Sequence, residues 1–484
     1  MDAQLSEGIR IAIVGGGFTG AVCAIELARA APVPLAIDII EPRATLGAGL
    51  AYGSCEPEHR INVPSDRMTV FPDAPDDFTR WLKASGAWDA DPFGLAANGD
   101  HYSRRRDFGA YAADLVTRTH AANPSGSTIR HRRAGARALE PVKDGWEVRC
   151  DDDRSIRYDQ VILAATYGSP RFLWPLTEGA QTLDHLIRDP WSWTAIKAIP
   201  KQARVVLIGT GLTACDVVVS LRATGHTGPI HAISRRAQTP RPHGEFDSGF
   251  DLFAGVAPPA TALGLLRLVR ARISAVEAQG RSWHIVVDSL RRHLSGYWST
   301  LPVAERRKIA HRLRPFWDVH RFRMAPQVSE LMARGRREGW LTISAGRIYA
   351  IGRQADHFSV DWTRRGGARQ HLPADAVINC TGPDGDIARS TNPLLSHALE
   401  HGVARPDDLR AGIDVDPSGR VIGVSGAPSR RLWAAGPAAR AVVGEATGVP
   451  EAASHARLVA RALARNLGAT RDGHTPYVST ERSA

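Results

Sequence analysis

At 484 residues, 43% of them hydrophobic, the chain is too long for one core and has apolar surface for two or three, so wholesale disorder is excluded. Its 61 lysines and arginines against 50 aspartates and glutamates leave a charge of +11, which suits anionic ligands, but no lysine-rich run or nucleic-acid motif accompanies it, and no nucleic-acid partner is expected. The five cysteines, Cys23, Cys55, Cys150, Cys215 and Cys380, are odd in number and hold no C-x-x-C pair, which argues against a disulfide framework, a zinc site or dithiol exchange and fits a reducing cytoplasm.

No signal peptide is expected ahead of the first apolar run, and no window supplies the roughly 20 apolar residues of a membrane helix, so no membrane is expected; with no H-E-x-x-H or cysteine cluster, no metal is expected either. Residues 1 to 8 read as a frayed start. Ile9 to Val14 is a β-branched run of the buried parallel-strand kind. Gly15-Gly16-Gly17-Phe18-Thr19-Gly20 follows, a G-x-G-x-x-G match between that strand and a helical stretch from Gly20 to Arg29. In such a loop Gly15 makes the tight turn, Gly17 lets a pyrophosphate approach the backbone, and Gly20 lets helix and strand pack closely. The helix N-terminus then stabilises the anion. Leu35 to Ile40 is the second strand, and Glu41 with Pro42 ends it, 21 residues after Gly20, where a carboxylate receives ribose hydroxyls. The alternative is a structural turn beside a surface glutamate.

Gly145 to Cys150 and Ser155 to Tyr158 read as a hairpin with Asp151-Asp152-Asp153 at its tip. Val161 to Ala165 reads as a strand ending at Tyr167-Gly168-Ser169-Pro170. A second strand–helix–strand unit begins at Arg204. It has a strand at Val205 to Ile208, the loop Gly209-Thr210-Gly211-Leu212-Thr213-Ala214, a helix to Leu221, and a strand at Ile230 to Ile233. This strand ends in Ser234-Arg235-Arg236 where the first unit has an acid. Two guanidiniums match a 2′-phosphate that a carboxylate would repel, so the second loop is expected to take NADPH and the first FAD. The alternative is a pair of solvated arginines beside an NADH site.

From about 250 to 339 the pattern is helical and rich in arginine and tryptophan. Ala376 to Cys380 echoes the earlier apolar strand and breaks at Thr381-Gly382-Pro383, each break marking a crossing between domains. Leu432 to Ala435 is a last strand running into Gly436, and a helix is expected from Pro450 to Asn466, its positive end aimed at the flavin pyrimidine, with a polar tail from Gly468. Glu445 and Glu451 read as acidic residues around the start of that helix.

The expected fold class is therefore α/β, with two Rossmann-like dinucleotide-binding domains. The NADPH domain, residues 176–384 with a helical insertion at about 250–339, is inserted in the FAD domain. That domain spans 1–175 and returns over 385–470, and 471–484 is expected to be a mobile tail.

Several longer stretches carry a family likeness. They include Gly47-Ala48-Gly49-Leu50-Ala51-Tyr52-Gly53, Asn62-Val63-Pro64-Ser65-Asp66-Arg67-Met68, Arg105 to Tyr111, Asp189-Pro190-Trp191, Ser234 to His243, Trp317 to Pro326 and Val449-Pro450-Glu451. With them the chain resembles the bacterial FAD/NAD(P)-binding oxidoreductase family, related to flavin-dependent monooxygenases and N-hydroxylating enzymes. The resemblance implies FAD against the 47–68 segment, Gly49 among its contacts, with Asn62, Val63 and Met68 near the flavin ring and Gly436 and Val449 closing the other side. The chain departs from the pattern in lacking a clear histidine-containing monooxygenase fingerprint, and in having Ala452-Ala453 where a bulkier or cationic residue is expected.

His243 reads either as a turn cap after Pro242 or as a group meeting the nicotinamide or substrate, the turn being favoured. His320, Arg321 and Arg323 read as parts of a packed scaffold helix, with an anion pocket as the alternative. Cys215 and Cys380 read as buried and inert. No single catalytic residue stands out. The expected activity is an NADPH-driven flavin monooxygenase using molecular oxygen on a small substrate, an amine or amino acid among the candidates. The alternatives are a flavin reductase without oxygen insertion and a dinucleotide-binding sensor without turnover.

Overall fold

The computed structural model describes residues 8–53, 56–165, 170–177, 179–440, 444 and 448–471. Cys55, Tyr167, Gly168, Ser169, Glu445, the first seven residues and 472–484 lie outside the described residues.

Two sheets organise the chain. The first runs in the order Arg420–Ile422, Pro428–Ala434, Gln160–Leu163, Ile9–Val14, Leu35–Ile40, Thr128–Arg132. All its pairings are parallel except the one at the Arg420–Ile422 edge. The second runs Arg369–Ala374, His357–Arg364, Leu341–Gln354, Ile230–Ser234, Val205–Ile208, Ala376–Asn379, Leu186–Ile187. Its strands all fall between residues 186 and 379, framed on both sides by strands of the first sheet. The architecture is thus the double α/β arrangement expected from the two strand–helix–strand units. The hairpin belongs to a small antiparallel sheet of Ala136–Val142, Gly145–Cys150 and Ser155–Tyr158.

Register aligns the carboxyl ends of the strands, where ligands of open α/β sheets bind. Val14 pairs with Ile40 on one side and Leu163 on the other, so the first glycine loop leaves the sheet beside Glu41 and Ala164. In the second sheet Ile208 is flanked by Ile233 and Asn379, which places the second loop beside Ser234 and Cys380. The long strand Leu341–Gln354 serves two sheet edges: it pairs parallel with Ile230–Ser234 and then, further along, antiparallel with His357–Arg364.

Helix Phe18–Ala30 is buried from Phe18 to Ala28 because it is covered on two sides, by its own sheet and by helix Val449–Arg471. Small side chains allow the approach: Ala21, Ala24 and Ala28 share one core with Ala452, Ala453, Ala456 and Ala460. This explains Ala452-Ala453, since a bulkier pair would push the two helices apart. The last helix also runs further than its expected end at Asn466, continuing through Gly468 to Arg471. Buried Glu26 binds Arg457 at 3.1 Å and Arg461 at 3.2 Å across the same contact.

The insertion is helical as expected, with helices Ala262–Ala278, His284–Thr300, Val303–Lys308, Arg314–Arg321 and Pro326–Arg337. Its first part has an apolar core of its own around Leu265, Ile285, Leu290 and Trp298. No described helix is long and apolar enough to cross a membrane.

Replacing Glu26 with Ala removes the carboxylate that two arginines share and leaves Arg457 largely buried without it. The expected cost is about 3 kcal/mol, read as a lower urea midpoint at unchanged slope.

Candidate functional site

The two glycine loops have the same internal logic. Gly15 and Gly209 turn with φ of +104° and +119°, and a side chain on either would collide with backbone: Ala164 O at 2.7 Å for Gly15, Cys380 O at 2.5 Å for Gly209. Gly20 is closed in the same way by Gly15 O at 1.9 Å, so all three are glycines for packing. The middle glycines differ. A Cβ on Gly211 would meet nothing within 4 Å, and one on Gly17 would meet only the Cα of Gly49, at 3.5 Å. Gly211 thus keeps a bare strip of backbone facing open space and Gly17 one bordered by the bare backbone of Gly49, and each caps a helix with no side chain bonded to the helix's free N–H groups. That is the shape and polarity of a pyrophosphate cradle, and it fits a dinucleotide at both loops.

The strand tips beside the loops differ in charge. Glu41 is buried and its carboxylate accepts from Gly16 N at 2.9 Å and from Arg43 N at 3.0 Å, which holds it against the loop. Phe18 and Thr19 are buried at the start of the helix, and Pro42 is exposed. At the other tip Ser234 and Thr210 bond to each other at 2.9 Å, while Leu212 and Thr213 are half-buried. Arg235 and Arg236 are exposed and have no ion pair among the described residues; the Arg236 guanidinium lies 5.6 Å from the Phe316 ring. Thr381 and Gly382 follow the strand that flanks the second loop, so they border that loop and not the first.

The two units are tied together beside the second loop. Asp216, on helix Leu212–Ala223, takes Arg105 of the first unit at 2.8 and 3.1 Å. Ser220 on the same helix bonds His59 at 2.8 Å. His243 makes a third tie: its Nε2 lies 2.9 Å from Asn62 O, across the units. The favoured reading of His243 as a local turn cap is therefore corrected. Burial, with Arg323 and Arg67 nearby, lowers its pKa to about 4 although the Asn62 carbonyl works in the other direction, so the ring is neutral at neutral pH.

A cavity of about 480 Å³ opens where the units, the insertion and the last helix meet, a volume suited to a small organic ligand. Asn62, Val63 and Arg67 line it from the first unit, with His243 and Phe246 from the second. Helix His284–Thr300 contributes Asp288, Arg291 and Arg292. Arg321 and Arg323 also border it, both 5% exposed and each paired with a carboxylate, so they are packed residues that also face the cavity; His320 does not line it. The last helix adds Glu451 and His455. Two of the expected flavin-side residues stand back from the cavity: Met68 and Val449 are buried in the first core.

The charges in the cavity are ordered by pairing. Arg323 grips Asp288 at 3.0 and 2.8 Å, and Glu451 is held by Arg291 at 2.5 Å and Arg321 at 3.2 Å. Burial raises the Glu451 pKa, but the two arginines prevail and hold it below the ordinary range. His455 is kept neutral by burial, its pKa lowered to about 4. Gly436 N donates to its Nδ1 at 3.0 Å, and Gly436 itself sits against Thr19, so this strand end joins the first loop to the cavity. Cys215 and Cys380 are buried, with thiol pKa values pushed up by burial.

Sequence reasoning missed His455, Asp288, Arg291 and the Arg105–Asp216 tie. The one local signal is spacing: Glu451 and His455 are four residues apart and so share a helix face.

Residues 12–168 match the family model described as FAD-NAD(P)-binding. This unit is thus an FAD-NAD(P)-binding domain. Among solved structures, the chain is similar to the ornithine N-hydroxylase of Kutzneria sp. 744, solved with reduced FAD, NADP+ and L-ornithine, at 15% identity and TM-score 0.62 over 96% of this chain and 100% of that one. It is similar to the ornithine hydroxylase of Pseudomonas aeruginosa at 15% identity and TM-score 0.63, over 95% and 99% of the two chains. The L-lysine 6-monooxygenase of Pseudomonas syringae gives 19% and 0.61, over 95% and 99%. These likenesses establish the fold. No protein of curated function matches the chain by sequence.

Gly17→Val fills the open strip of the first loop. The purified variant is expected to lack flavin absorbance while its far-UV circular dichroism is kept. Gly211→Val is expected to retain the flavin and lose nicotinamide-nucleotide binding, measured by calorimetry.

Proposed function

We propose that the protein is an FAD- and NADPH-dependent oxidoreductase, and specifically a flavin monooxygenase acting on a small molecule. FAD is assigned to the loop of Gly15, Gly17, Phe18, Thr19 and Gly20 with Glu41 and Pro42 at the ribose. Gly49 faces the pyrophosphate, and Asn62, Val63 and Gly436 stand toward the ring end. NADPH is assigned to Gly209, Gly211, Leu212 and Thr213, with Ser234, Arg235 and Arg236 at the 2′-phosphate and Thr381 and Gly382 bordering the loop. The observation that carries the reading is the contrast between the strand tips: a buried carboxylate at one, two exposed guanidiniums without an ion pair at the other.

FAD held at the first loop by Gly15, Gly17, Gly20 and Glu41 would supply the redox chemistry that links NADPH to oxygen. The chain's own contribution is placement. Arg105 and His59 hold the helix of the second loop against the first unit, which sets the separation of the two dinucleotides. The insertion roofs the cavity and brings in the arginines and carboxylates that orient a substrate. A residue that itself transfers a proton is not needed for this reading; the neutral His455 supplies a hydrogen-bond donor.

The fold shared with ornithine and lysine hydroxylases supports oxygen insertion over simple reduction. Arg235→Ala and Arg236→Ala are each expected to weaken NADPH binding by about 1.5–3 kcal/mol per lost charged contact, with little change for NADH. Equal loss for both nucleotides would refute the 2′-phosphate assignment. For the reaction itself, the protein is reduced anaerobically with NADPH and then given oxygen with a panel of small amines and carboxylates. Mass spectrometry is expected to find a product with one added oxygen atom. Peroxide as the sole oxygen product across the panel would assign a reductase instead.

A further inference from the structure

The cavity carries more positive charge than its internal pairing uses. Arg67, Arg291, Arg292, Arg321 and Arg323 line it against only Asp288 and Glu451. Both carboxylates are engaged, Asp288 by Arg323 and Glu451 by Arg291 and Arg321. An entering ammonium would have to break one of these buried pairs to find a counter-charge. Arg67 and Arg292 stand outside them. Arg67 lies over the Phe246 ring at 3.9 Å, with the exposed Asp66 at 4.0 Å, and Arg292 donates to Phe250 O at 2.5 Å, with the exposed Asp251 in its field.

His455 adds direction. Because Gly436 N–H donates to Nδ1, that nitrogen carries the lone pair and the proton sits on Nε2. The ring is 6% exposed and lines the cavity, and no acceptor among the described residues takes the Nε2–H. Between the polar groups the walls are apolar, formed by Val63, Pro64, Leu294 and Leu458.

We propose that the cavity binds an organic anion, a carboxylate on an apolar body, with Arg67 and Arg292 supplying the charge and His455 donating through Nε2–H. This rests on the cavity being the substrate site of the oxidoreductase, whether or not oxygen is inserted. A bare diamine is the wrong ligand for such a lining, and a molecule bearing both an amine and a carboxylate would enter by its carboxylate.

The test uses the FAD-loaded protein and three probes of one shape: benzoate, benzamide and benzylamine, titrated by calorimetry and by perturbation of the flavin spectrum. Benzoate is expected to bind saturably, and the neutral and cationic probes at least tenfold more weakly. Arg292→Gln and His455→Asn are each expected to weaken benzoate about tenfold. Asn keeps an acceptor for Gly436 N–H while its amide N–H groups stop short of the Nε2 position, and Arg292 is exposed, so that variant carries the test if His455→Asn loses flavin. Benzylamine binding as well as benzoate overturns the proposal, as does displacement of benzoate by NADP+, which would give the charge to the nucleotide. Benzoate selectivity in a protein whose flavin NADPH does not reduce supports the anion site and refutes the redox reading separately.

Discussion

The close packing of helix Phe18–Ala30 on helix Val449–Arg471 is the contact on which the site depends. It joins the beginning of the chain to its end. Alanines on both faces let the backbones approach, and Glu26, buried between Arg457 and Arg461, fixes the register of one helix on the other. The N-terminus of the first helix carries the first glycine loop, and the opening turns of the second carry Glu451 and His455. A slip along this contact would move the dinucleotide cradle relative to the cavity. Gly436 spans the same gap, touching Thr19 on one side and His455 on the other, with no room for a side chain.

The parts of the fold that could be read from the sequence are those where backbone geometry dictates residue type. Gly15 and Gly20 could be read because a tight turn and a helix–strand contact fall at fixed spacing after a buried strand. Glu41 and the Arg235-Arg236 pair could be read because they end the next strand. What could not be read was set by contacts between distant segments. His243 looked local because it follows a proline, yet its partner is Asn62, 181 residues away. Arg321 and Arg323 read as parts of a packed scaffold helix, but local sequence does not reveal that Glu451 and Asp288 will meet them. The last helix outran its expected end because Gly468 lies in a helix already supported by packing, where the cost of one glycine is about 1 kcal/mol.

The cavity brings several charges into a partly buried space, which is tolerable only because they are paired. Bidentate Arg323–Asp288 and the three-member Arg291–Glu451–Arg321 set satisfy both carboxylates and three of the five arginines. The histidines relieve the same constraint by shedding their protons. Charge, donor direction and apolar wall are thus set by three different segments, Asn62 to Arg67, helix His284–Thr300 and the last helix, of which the first and last belong to the unit that carries the first loop.

The tie between Arg105 and Asp216 has a consequence for how such a molecule can work. Both partners are mostly buried, and the bond is two-pronged, on the very helix that opens at the second loop. Turning the second unit as a block would part the two charges and would pull Ser220 off His59 at the same time. The ties thus favour a fixed spacing of the two glycine loops, at which small molecules would arrive and leave like couriers between two moored hulls.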